Sequence, residues 1–155
     1  SPAGWRQLLA GKTLAGLAYV LCAGLVIVLI NLPLVVHWEI MLLALLLTSA
    51  FVVSVGLLIG TLAGTPTASA VWGGPLLILM VASVLMDLFP GVVLPAWLDT
   101  ALGWSPASVI LRLFRLALAG EAPVAAVWGA AAALTGMAVA VYVAVMGIMR
   151  RRYSV

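Results

Sequence analysis

Charge is what this sequence has least of. Its 155 residues include seven Lys and Arg, four Asp and Glu, and one His. Charged residues make up 7% of the chain, against about 25% in a typical soluble domain. Hydrophobic residues make up 66%. No globular packing of a chain this size hides that much apolar surface from water, so the solvent for most of it is lipid. Cysteine is nearly missing too. Cys22 stands alone within an apolar run, which excludes an internal disulfide and reads as a small buried apolar side chain. With one His and one Cys there is no set of soft ligands for a metal, and no nucleophile stands at a plausible spacing from a base. No catalytic constellation is present, so the chain reads as no enzyme on its own. The period-two alternation of barrel strands is also absent. An open sheet cannot span lipid, because its edges leave backbone groups unpaired. What remains is an all-α, polytopic integral membrane protein.

The charges that do exist are informative by position. The net charge of +3 is a matter of topology, not of nucleic-acid binding. Three of the seven cations form the cluster Arg150-Arg151-Arg152 near the end of the chain. At the other end, Ser1 is a candidate N-cap and Pro2 suits the first helical position. Trp5, Leu8 and Leu9 then fall on one helix face, with Arg6 and Lys12 left polar. Trp and basic residues beside an apolar run mark a membrane–water boundary. Residues 1–13 therefore read as a cytosolic amphipathic elbow. The chain does not begin with Met and opens in mid-motif, which suggests the C-terminal part of a longer protein. Gly11-Lys12-Thr13 looks like the end of a phosphate-binding loop. That pattern needs a glycine five positions earlier, where Arg6 stands, and a preceding strand, which is missing.

Four apolar runs are long enough to cross a hydrocarbon core of about 30 Å at about 1.5 Å per residue: 14–36, 40–62, 68–86 and 124–149. Asn31 and Pro33 near the far end of the first predict a frayed or kinked turn. His37, Trp38 and Glu39 make so short a connection that the first two spans are antiparallel neighbours. Ser49, Ser54, Gly56 and Gly60 permit close helix contact in the second. Gly64-Thr65-Pro66-Thr67 breaks the pattern, with Thr65 as candidate cap. Gly73-Gly74-Pro75 predicts a kink or local opening in the third span. The spans end in a basic tail, 150–155.

Residues 88–121 are different. Pro90, Gly91, Pro95, Asp99 and Gly103 punctuate a short apolar segment, and Ser105-Pro106 then starts a helix predicted to end at Gly120. That helix carries Arg112 and Arg115 on one face. Two arginines near a span centre cost about 2.5–3.5 kcal/mol each, and the segment barely reaches spanning length. A re-entrant or interfacial hairpin is favoured over a fifth crossing. Four crossings leave both ends on one side with Arg6, Lys12 and Arg150 to Arg152. The opposite side has only Arg112 and Arg115. The excess of cations places both ends in the cytosol.

Few other side chains stand out. His37 and Glu39 read as a solvated extracellular turn, with a proton or ion role as the alternative. Asp87 is either an interfacial carboxylate, facing water or pairing with Arg112 or Arg115, or the mark of a pathway. Trp5, Trp38, Trp72, Trp97, Trp104 and Trp128 fit an aromatic belt, and the methionines fit packing or lipid contact. Between their ends the spans hold no Asp, Glu, Lys, Arg or His. Ion-coupled transporters keep such groups, or unwound backbone, inside the bundle. An energy source outside this chain is simpler.

The pattern resembles the permease subunits of ATP-binding-cassette (ABC) exporters of the type-2 class. The resemblance rests on Ser1-Pro2 followed by Leu8-Leu9-Ala10-Gly11-Lys12 and a span, and on Thr65-Pro66-Thr67-Ala68-Ser69-Ala70 after the second span. It continues through Leu94-Pro95-Ala96-Trp97-Leu98, Trp104-Ser105-Pro106, Leu111-Arg112-Leu113 and Ala117-Leu118-Ala119-Gly120 to a last span with a basic end. It implies that the chain holds spans three to six of six, with short re-entrant helices between the last two on the outer side. It also implies a partner ATPase that carries ATP-Mg, a second permease copy, a cell-membrane location, and no cofactor on this chain. Trp5, Arg6, Gln7 and Lys12 would then meet the ATPase, and Asp87, Arg112 and Arg115 would lie at an outer gate. Met86-Asp87-Leu88-Phe89-Pro90 departs from the family pattern at the hairpin entrance. Two other classes stay open on the residues alone: a small secondary transporter or channel, and a non-transporting assembly factor.

Overall fold

The computed structural model describes residues 3–63, 66–89 and 95–153. Among them it has six α-helices and no strand: α1 (Ala3–Ile30), α2 (Trp38–Ala63), α3 (Pro66–Leu88), α4 (Ala96–Gly103), α5 (Pro106–Leu118) and α6 (Val124–Tyr153). Four are long and apolar enough to cross a membrane, over Leu9–Ile30, Trp38–Ala63, Thr67–Leu85 and Val124–Arg151.

Local chemistry sets most of the boundaries. The first span ends at Ile30, not at Val36 as the apolar run suggests. Pro33 has no N–H to continue the α-helical ladder. Asn31 closes the last turn by donating its side-chain amide to the Ile27 carbonyl at 2.8 Å. A single 3₁₀ turn, Leu32–Leu34, follows. Helix α2 restarts when the Met41 N–H reaches the His37 carbonyl at 3.0 Å. Helix α3 stays continuous through Gly73-Gly74-Pro75. The cap expected at Thr65 and residues 90–94 lie outside the described residues.

The Ser105-Pro106 signal behaves as expected. Ser105 is extended, its Oγ accepts the Ser108 N–H at 3.2 Å, and Pro106 opens the helix. The helix ends at Leu118, slightly ahead of Gly120. Helices α4 and α5 have 8 and 13 residues, or about 12 and 20 Å, too short to cross a core of about 30 Å.

Helix α2 is the axis of the bundle. A third of its spanning window is buried (33%), against 6%, 7% and 17% for α1, α3 and α6. It packs on all of α1, α3, α5 and α6. The main core joins Val28 of α1, Met41, Ala44 and Phe51 of α2, Leu113 of α5 and Leu134 of α6. A smaller one joins Leu9 of α1 to Val145 and Met149 of α6. The start of α1 and the end of α6 therefore share one end of the bundle. Outward faces remain strongly apolar: Tyr19, Ile27, Ile78 and Val143 are all well exposed. Such a surface suits hydrocarbon and not water.

Candidate functional site

Helix α5 is the element that shapes the end of the bundle away from the termini. Val109, Leu113 and Ala117 recur every four residues and are buried. They form a stripe that wedges against α2, α3 and α6. Arg112 and Arg115 lie off that stripe, exposed. The wedge is tied down by backbone. The Ala117 carbonyl accepts the N–H of Val36 at 3.2 Å and of His37 at 3.0 Å. These two donors lie in the turn between α1 and α2, where no helix partner exists for them, so the contact meets an obligatory need.

Glu39 is exposed, as expected for a solvated turn, but His37 is only partly so. Its Nδ1 lies 3.5 Å from the Glu39 carboxylate, and its Nε2 is buried without a hydrogen-bond partner. Beside it, the first turns of α2 and α6 enclose a cleft of about 440 Å³. Ile40, Leu43 and Val127 line it together with His37, Glu39 and Trp128. Residues 37–43 and 122–128 meet there only because α2 and α6 pack along their length. Sequence reading placed Trp128 in an aromatic belt and missed this cleft. The one signal available was a carboxylate and an indole, each in the first turns of a span.

Two further clefts are nearly apolar. One, about 450 Å³, lies between α2 and α3 beside Phe51, Gly56, Gly73 and Gly74. The other, about 280 Å³, lies among α1, α2 and α6 beside Thr13, Ser54 and Tyr142.

The sequence-predicted residues fall at opposite ends. Trp5, Arg6, Gln7 and Lys12 all belong to α1, which runs unbroken from the elbow into the span. Gln7 and Lys12 are exposed. Packing of Leu9 on Val145 and Met149 brings that turn to the same end as Arg150 and Arg151. Arg112 and Arg115 stand near the other end, on α5. Asp87 is in the last turn of α3. The side chains of Trp5, Arg6 and Asp87 lie outside the described part of the structure. Among the described residues no group of His, Cys, Asp or Glu is placed to hold a metal. No family model, curated protein or solved structure matches the chain.

Proposed function

We propose that this chain is the membrane-spanning permease part of an ATP-driven ABC-type exporter. One observation carries the reading: two helices too short to cross, α4 and α5, interrupt the series between the third and fourth spanning helices. They form the outer re-entrant hairpin of such a permease. The exposed arginines of α5 then face water or headgroups while its apolar stripe docks in the bundle.

Two further features support it. The start of α1 and the end of α6 pack together, which suits an even number of crossings. That shared end holds Lys12, Arg150 and Arg151, the excess of cations found on a cytosolic face. Both ends are cytosolic, and the membrane is the cell membrane. The unbroken α1 gives the coupling a lever. Motion of a partner ATPase against Trp5, Arg6, Gln7 and Lys12 moves the first span directly. Two permease copies form the path between them by alternating access. Asp87, Arg112 and Arg115 lie at its outer gate.

The test is co-purification of the full-length protein with an ATPase, followed by substrate-stimulated ATP hydrolysis in proteoliposomes. Replacing Trp5 and Arg6 by Ala uncouples hydrolysis from transport while insertion stays normal. Replacing Arg112 and Arg115 by Ala alters export and leaves ATPase docking intact. A chain that recruits no ATPase, or whose transport ignores ATP, contradicts the proposal.

A further inference from the structure

The cleft between α2 and α6 has the size of a small-molecule site, which is roughly 300–1,000 Å³. Its lining selects an occupant. Glu39 brings the one carboxylate, and no Lys or Arg lines the cleft among the described residues. That side chain is 76% exposed, and the His37 imidazole lies beside it at 3.5 Å. Trp128 is 65% exposed and presents its indole at the cleft. A carboxylate and an exposed indole over apolar walls repel an anion. They attract a cation, the first through Coulomb energy and the second through its ring quadrupole. The walls of Ile40, Leu43 and Val127 favour an apolar body on that cation.

Further along α6, Ala130 is nearly buried and Leu134 fully so. Both belong to the core that α6 shares with Met41 and Ala44 of α2, so the two helices are packed together beyond the cleft. A lipid could offer its ammonium headgroup but would have to leave both tails outside. The geometry points to a binding cleft for a compact hydrophobic ammonium ion, held by Glu39 and Trp128. This inference needs only the packing of α2 on α6 and stands apart from the exporter proposal.

The experiment is equilibrium dialysis of radiolabelled benzyltriethylammonium against the chain in dodecyl maltoside micelles. These micelles carry neither an ammonium group nor a net charge. Saturable binding with one site per chain is expected. Glu39→Gln weakens it about fivefold, as loss of a partly exposed ion pair does. Trp128→Leu weakens it about threefold. Glu121→Gln, outside the cleft, leaves it unchanged. Both altered cleft side chains are exposed, so the fold is retained, which size-exclusion elution verifies. Equal binding by the parent chain and Glu39→Gln overturns the inference. Equal binding of an uncharged carbon analogue does so too, because the cleft would then be merely apolar. Full displacement by dodecylphosphocholine reassigns the site to a lipid headgroup and also overturns it.

Discussion

The backbone N–H of His37 donates to the carbonyl of Ala117 at 3.0 Å, joining the turn after the first span to the last turn of α5. Ala117 is fully buried, so a larger side chain there displaces the segments packed around it. Ala117→Leu forces them apart. Overpacking of this kind costs about 1–3 kcal/mol. The expected result is a lower unfolding midpoint in detergent together with faster amide exchange at Val36 and His37. A variant as protected as the parent at those two amides would show that the contact is incidental.

Gly24 of α1 packs against the side chain of Leu45 on α2. A Cβ placed there runs into Cδ1 of Leu45, a side chain only 7% exposed. Alanine can be met by a rotamer change at the tip of Leu45, so Gly24→Ala is nearly neutral. Gly24→Val requires the helices to separate and should cost about 1–3 kcal/mol. Adding Leu45→Ala should recover part of that loss, because it clears the space. Additive losses in the double variant, measured by thermal unfolding, would mean that the two residues do not meet.

How much of this was legible depended on how local each signal is. Ser105-Pro106 was readable because the cap is made by Ser105 itself, onto a donor three residues away. The spans were readable because length and apolarity alone define them. The end of the first span was misplaced because hydropathy continues through Leu34, Val35 and Val36 while the backbone chemistry changes at Pro33. Helix α4 was hidden among Pro90, Pro95 and Gly103, whose punctuation reads as loop. The anchoring of His37 is not legible because its backbone N–H is held by Ala117 of α5, far along the chain. The cleft was invisible for the same reason: neither half of its lining forms a site alone.

Thr48 has a buried hydroxyl with no partner. Its neighbour Ser49 shows the usual solution, an Oγ–H donated to the Leu45 carbonyl at 2.7 Å. An unpaired buried hydroxyl costs about 1–3 kcal/mol, and Val has nearly the same shape without it. Thr48→Val should therefore raise the unfolding midpoint, by about 1 kcal/mol in free energy. A clear fall would show that a group outside this chain, such as a second copy or a bound solute, satisfies the hydroxyl in the native assembly.

Leu9 and Val145 are buried in one small cluster although they come from the first and last spanning helices. On the proposed reading of four crossings this contact is expected, since the start of α1 and the end of α6 then lie on one side. Cys22 is the one native thiol, so Cys22→Ser gives a clean background. Leu9→Cys with Val145→Cys should then form an intramolecular disulfide under mild oxidation in membranes. Leu9→Cys with Ile30→Cys should not, because those positions are about 30 Å apart along one helix. Gel mobility after thiol-directed polyethylene glycol labelling separates the outcomes. If the first pair stays reduced and its two thiols react with an impermeant reagent from opposite faces, the even crossing number fails. The grouping of Lys12 with Arg150 and Arg151 at one end fails with it.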